Sequence, residues 1–165
     1  MVKDCVFRIN KDTRFTKDKS PYKINLWLHI APWGKKTDFP WYYLHLQNDA
    51  SFFAWWVIMP STENAYKIRN YIYQNYSEFE SILKNSSFKK FYNKIEGYQP
   101  PLKKVPKWFE PDHASIKYIL LKDWLVNDIK LTNETVLQND FEEKVILYSK
   151  SLYQFNNFLY KALLK

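Results

Sequence analysis

An α+β fold is predicted for this 165-residue chain by two patterns and one supply of side chains. Period-two alternation at residues 24–31 leads into two further strand-sized runs at 41–47 and 52–59, and an apolar stripe of helical period runs through residues 140–164. Aromatic residues make up 19% of the chain, with 7 Trp, 13 Tyr and 12 Phe, enough large apolar groups for a core despite a mean hydropathy of −0.52. The expected architecture is a small antiparallel sheet over about 24–59, packed against helices and closed by one long C-terminal helix, in a single domain over 1–165.

The first strand is expected at 24–31, where Ile24, Leu26, Leu28 and Ile30 alternate with Asn25, Trp27 and His29. Residues 32–40, with Pro32, Gly34 and Pro40, read as a loop. Strands at 41–47 and 52–59 flank the turn signal Asn48-Asp49-Ala50-Ser51 and form a hairpin. The third strand is apolar on both faces, which calls for a central position or a cover of helices. Ala65, Ile68, Ile72 and Tyr73 place a helix at 62–75. Ser77-x-x-Glu80 reads as the capping box of a second helix carrying Phe79, Ile82 and Leu83. A short helical turn near Phe88 and an ordered, proline-rich loop over 96–111 follow. Asp112 is expected to cap a helix reaching Leu121, with a short strand near Trp124–Leu131. From Asp140 to Leu164, Phe141, Val145, Tyr148, Leu152, Phe155, Leu159 and Ala162 repeat with alternating spacings of four and three, the stripe of one helix laid across the sheet.

The formal net charge is +8, a bias toward anionic partners. Its densest expression is residues 7–25, where Arg8, Lys11, Arg14, Lys17, Lys19 and Lys23 surround only Asp12 and Asp18. Phe7, Phe15 and Tyr22 punctuate the segment and Pro21 turns it, so it reads as an ordered cationic loop and not as a disordered charge run. The 2 Gly, at 34 and 97, sit in no phosphate-cradling motif, so nucleotide-fold fingerprints are absent and no cofactor is expected. Cys5 is the sole cysteine, which excludes an internal disulfide and a thiolate metal cluster and fits a reducing, cytoplasmic setting. No apolar run has the length of a membrane span.

The series Arg8-x-x-Lys11-Asp12-x-Arg14-Phe15-x-x-Asp18-Lys19-x-Pro21-Tyr22-Lys23-x-Asn25 resembles the signature of a conserved hypothetical family, domain of unknown function 2461. Trp41-Tyr-Tyr-Leu-His-Leu, Met59-Pro60 with Ile68-Arg69, Val105-Pro106-Lys107 with Asp112-His113, and Phe158-Leu159 follow in the same order. The resemblance covers nearly the whole chain and implies an α+β protein, mostly bacterial in distribution, with no established activity. It also implies a helical segment before the Arg8 motif, which a partner chain or self-association would supply if this chain lacks it. Lys11, Ala54-Trp55-Trp56 and Trp108 depart from the pattern.

Two outcomes are open for the cationic loop. Arg8, Arg14, Lys19, Lys23 and Tyr22 can form a ligand site, with Arg8 and Arg14 gripping a phosphate or carboxylate and Asp12 orienting Arg14. Alternatively, the acids neutralise the bases in a structural network. His45, with Asp12, is the candidate for proton transfer. If the first two strands pair, His29 and His45 share a face with Trp27, Trp41 and Tyr43. Two histidines without close-spaced ligands do not make a metal site, and none is expected. Arg69 is expected to pair with Glu63 or Glu80, and His113 to sit in a helix's first turn. The function expected first is binding or processing of a small anionic or phosphorylated ligand at the basic motif, with the reaction, if any, unspecified. The alternatives are a nucleic-acid-binding module that uses Trp27, Trp41, Tyr43 and Trp55 as a stacking platform, and a scaffold assembled with a partner. Burial of those rings beneath the C-terminal helix is the competing reading of the platform.

Overall fold

The computed structural model describes residues 2–31 and 39–164. It is an α+β structure in which an antiparallel sheet carries the helices that follow its third strand on one face. Strands β1 (Asn25–Ile30), β2 (Trp41–Gln47) and β3 (Ser51–Val57) form the expected meander. The sheet then extends beyond residue 59: β4 (Ile95–Glu96), β5 (Trp124–Val126) and β6 (Ile129–Leu131) give the order β1-β2-β3-β5-β4, with β6 also paired to β3. β3 is therefore central, as its doubly apolar sequence requires. The loop expected between β1 and β2 lies, over 32–38, outside the described residues.

Helix α1 (Val2–Cys5) precedes the sheet. Residues 6–28 then fold back on themselves: Phe7 N–H donates to Trp27 O at 3.2 Å, Lys11 N–H to Pro21 O at 2.9 Å, and Lys23 N–H to Ile9 O at 2.9 Å. The cationic loop is thus a long irregular hairpin, with isolated bridges Val6–Leu28 and Asn10–Tyr22, laid along the outer edge of β1. This covers an edge that would otherwise present unpaired backbone groups.

The helix layer follows β3. In α2 (Thr62–Gln74), Ser61 caps the first turn by accepting from Asn64 N–H, and Ala65, Ile68, Tyr71 and Ile72 are buried. α3 (Tyr76–Lys84) begins one residue before Ser77, on Asn75, so the expected capping box does not form. Short turns α4 (Ser86–Lys89), α5 (Ile116–Ile119) and α6 (Asn133–Val136) join the remaining elements. The C-terminal stripe is intact but divided between α7 (Phe141–Ser151) and α8 (Tyr153–Leu164). Leu152 N–H bonds Ser149 O in a tighter turn, and Leu152 itself is fully buried at the break. No helix among the described residues is long and apolar enough to cross a membrane.

The core lies between this helix layer and one sheet face. Leu44, Phe53, Trp55, Val57, Trp124 and Phe155 belong to one cluster of buried side chains. Trp55 is fully buried against Phe155, ring centroids 4.8 Å apart, and its indole N–H donates to Asn156 Oδ1 at 2.8 Å. Arg69 pairs with neither Glu63 nor Glu80. Its Nε donates to Ile119 O at 2.8 Å and its Nη2 to Leu121 O at 2.7 Å, and burial holds its pKa below the usual range. The buried Asp123 likewise serves backbone, accepting from Met59 N–H at 2.7 Å and from Gln99 N–H at 3.0 Å, which fixes Met59 at a left-handed φ of 47°.

Phe155 meets Trp55, Phe79 and Phe88 with no exposure to solvent. Phe155→Ala is expected to destabilise the chain by about 3–5 kcal/mol. Phe15→Ala, at a ring 92% exposed on the hairpin, is expected to stay within about 0.5 kcal/mol. Urea denaturation of the two variants checks this.

Candidate functional site

The pleat sorts the first three strands into two sets. Leu28, Tyr42, Leu44, Leu46, Phe53, Trp55 and Val57 point toward the helices. Their alternates, Trp27, His29, Trp41, Tyr43, His45, Phe52, Ala54 and Trp56, point away and are absent from the core cluster. Three of the four rings expected to form a platform, Trp27, Trp41 and Tyr43, share this second face. Trp55 does not: it faces the helices and belongs to the core. The reading that put all four rings beneath the C-terminal helix therefore holds for Trp55 alone.

Register aligns the second face into cross-strand rows. Trp27 stands opposite His45, His45 opposite Phe52, and Phe52 opposite Lys130 of β6. Trp27 and His45 meet edge to face at 5.9 Å, and His45 and Phe52 stack at 5.0 Å with planes 13° apart. Lys23 Nζ lies 5.2 Å from the centroid of Trp27, a cation–π contact, so each end of the row carries a lysine. Neither Lys23 nor Lys130 meets a carboxylate in a described ion pair. A second row joins His29 to Tyr43 and Ala54, and a third joins Trp41 to Trp56 and Leu125. Trp27, Trp41, His45, Phe52 and Trp56 are half-buried, whereas His29 and Tyr43 are buried among their neighbours.

His45 is held by both ring nitrogens. Tyr43 Oη lies 3.0 Å from Nδ1, and Nε2 lies 3.1 Å from Gln47 Oε1, which also accepts from Asn25 Nδ2 at 3.4 Å. An accepting Gln47 oxygen requires a proton on Nε2, which leaves Nδ1 to accept from the Tyr43 hydroxyl. Burial pushes the Tyr43 phenol up to about 12, which keeps it protonated for that role. With its nitrogens occupied, His45 is a fixed ring of the platform and presents no open nitrogen to a substrate. The arrangement leaves the Gln47 amide N–H₂ without a partner among the described residues, so it is a free donor at the edge of the row.

The hairpin brings some expected residues together and separates others. Arg14 Nε donates to Asp12 Oδ1 at 3.0 Å and Nη2 to Oδ2 at 2.7 Å, the predicted fork, while Arg8 Nη2 stands 4.0 Å from the same carboxylate. Lys11 pairs with Asp18, and Lys19 Nζ donates to Thr13 O at 2.7 Å. These groups are largely exposed and flank an open hollow of about 400 Å³ lined by Arg8, Lys11, Asp12, Thr13 and Arg14. Tyr22 is exposed beside them and joins Asn10 through backbone only. No described contact links His45 to Asp12, so the expected proton-transfer pair is not assembled. Lys23 alone of the expected ligand-gripping set reaches the aromatic face.

A family model described as conserved hypothetical protein (DUF2461) matches residues 1–158. The chain belongs to that family. No curated protein and no solved structure matches it. Membership fixes lineage and brings no chemistry, so the site rests on the geometry alone.

Sequence reasoning missed Phe52, Trp56, Gln47 and Lys130. The first two were recoverable only through the hairpin register, which sets Phe52 opposite His45 and Trp56 opposite Trp41. Lys130 was not, because β6 is three residues long. His113 sits in an irregular turn, its Nδ1 2.7 Å from Ser115 Oγ and its ring 4.2 Å from Tyr73, and it has no place in the site.

The Lys11 ammonium, followed by the backbone and hydroxyl of Ser20, holds the Asp18 carboxyl down at about 2. A depressed folded-state pKa contributes stability above the ordinary carboxylate range, and that contribution is lost as pH falls through about 2. A carbon-detected carboxyl titration is expected to give an Asp18 midpoint near that value, moving up toward the ordinary range in Lys11→Ala.

Proposed function

We propose that this chain is a binding module for a planar, anionic ligand, a nucleotide or a phosphorylated aromatic, which stacks on the face of the sheet opposite the core. The observation that carries the reading is the row Trp27–His45–Phe52, flanked by Lys23 at one end and Lys130 at the other. His45 and Phe52 turn one face each to the other, so the half-buried rings offer a base their edges and the faces left open along the row, while the lysines offer charge to its phosphate and Gln47 a neutral donor. The reading keeps the anionic ligand expected from the basic composition and moves its seat from the hairpin to the sheet. The fixed tautomer of His45 favours binding over proton transfer. The hairpin guanidinium groups, forked onto Asp12, serve this module as a field that draws anions in.

Titration of the protein with adenosine monophosphate, followed by amide chemical shifts, tests the reading. Perturbations are expected on β1, β2 and β3, with binding about tenfold weaker in Phe52→Leu, which keeps an apolar side chain and removes the ring. Lys130→Ala is expected to weaken binding as well, and Arg14→Ala to change it less than about twofold. Loss of binding in Arg14→Ala with Phe52→Leu unaffected would return the site to the hairpin hollow.

A further inference from the structure

We infer that the natural ligand is a run of single-stranded nucleic acid and not a lone nucleotide; the inference rests on the stacking reading above. The first reason is enclosure. Small-molecule sites bury most of their ligand in a concave pocket. The face that carries Trp27, His45 and Phe52 is a sheet surface, and the hollow beside Phe52 and Lys130, about 410 Å³, lies at its end and not around it. A single base on such a surface leaves most of its area in water, whereas a strand of several bases gains contact with each ring in turn.

The second reason is length. Neighbouring strands stand about 4.8 Å apart, so a row that crosses four strands, from Trp27 through His45 and Phe52 to Lys130, extends about 14 Å. That is room for more than one stacked base. Lysines stand at both ends, as a backbone that enters and leaves requires, although Asp49 and Asp128 line the hollow beside Lys130, so the charge that meets phosphate is concentrated at the Lys23 end. Beyond Lys23 the same polarity continues into the hairpin, where Lys17 and Lys19 have no described carboxylate partner. Phosphates outside the stacked segment find their charge there.

The third reason is chemical tolerance. The row supplies aromatic edges and the ring faces its own stacking leaves open, two ammonium groups and one free amide at Gln47, a set that meets any base through its rings and reads hydrogen-bonding edges sparingly. Unpaired bases are required for that contact, which sets single strands apart from duplex.

Fluorescence anisotropy with a 12-nucleotide oligothymidylate, a 12-nucleotide oligouridylate and a duplex of the same length, alongside adenosine monophosphate, decides the matter. Either single strand is expected to bind at least about 100-fold more tightly than the monophosphate and more tightly than the duplex; the two sugars distinguish DNA from RNA as the source. The slope of log K against log salt is expected to be about −0.7 for each phosphate neutralised, and to become shallower by about that amount in Lys130→Ala or Lys23→Ala. Phe52→Leu is expected to weaken single-strand binding about tenfold with the slope unchanged. Circular dichroism of each variant confirms that it folds. A monophosphate that binds as tightly as the 12-mers, on the same face, overturns the inference and leaves the stacking module standing. Equal affinity for duplex and single strand, insensitive to Phe52→Leu, also overturns it. Absence of binding by every probe overturns both.

Discussion

The pleat of three antiparallel strands is the constraint on which the rest of this structure depends. Side chains on a strand alternate between faces, and cross-strand partners share one. Once Trp41 stands opposite Trp56 and Tyr42 opposite Trp55, every residue of β1–β3 is assigned to the helices or away from them. A slip of one residue would exchange the two sets, exposing Phe53 and Trp55 and burying His45. Two features hold the register. Asp49, at a left-handed φ of 56° in the β2–β3 turn, donates its N–H to Asn133 Oδ1 at 2.9 Å. Ser51 Oγ accepts from Gln47 N–H at 2.9 Å at the strand ends.

That sorting also accounts for the uneven chemistry of the two faces. Toward the helices, polar atoms serve only to close packing, as when Trp55 finds Asn156. On the other face the rings stack on one another, and the polar atoms form a chain from Tyr43 through His45 and Gln47 to Asn25. That chain fixes the His45 ring in orientation and tautomer, which suits a surface that must be flat and rigid before anything lands on it. The hairpin along β1 covers the sheet edge and carries most of the local charge in exposed pairs, which contribute little to stability and much to the field.

Much of the fold was legible because periodicity was strong. The phases of β1 and β2 were plain from Asn25, Trp27 and His29 against their apolar neighbours, and they correctly placed both histidines beside Trp27, Trp41 and Tyr43. β3 was not legible in phase: Phe-Phe-Ala-Trp-Trp has no polar residue to mark a side, so the strand alone left Trp55 open between platform and core, and the structure places it in the core. The C-terminal stripe was read in full, but the break at Leu152 carries neither proline nor glycine to announce it. β4 and β6 are too short for any period to show. In the cationic segment, composition gave the ions and the Arg14–Asp12 fork, but which base meets which acid depends on how residues 6–28 double back.

The most direct test of the two-faced sheet is solvent paramagnetic relaxation, read residue by residue on aromatic ring C–H signals with a soluble gadolinium chelate. The account predicts strong broadening at Trp41, Phe52 and Trp56, with Trp55, Trp124 and Phe155 protected. Equal protection on both sets would mean that the second face is covered, and broadening at Trp55 with Phe52 protected would mean that the strand register is wrong.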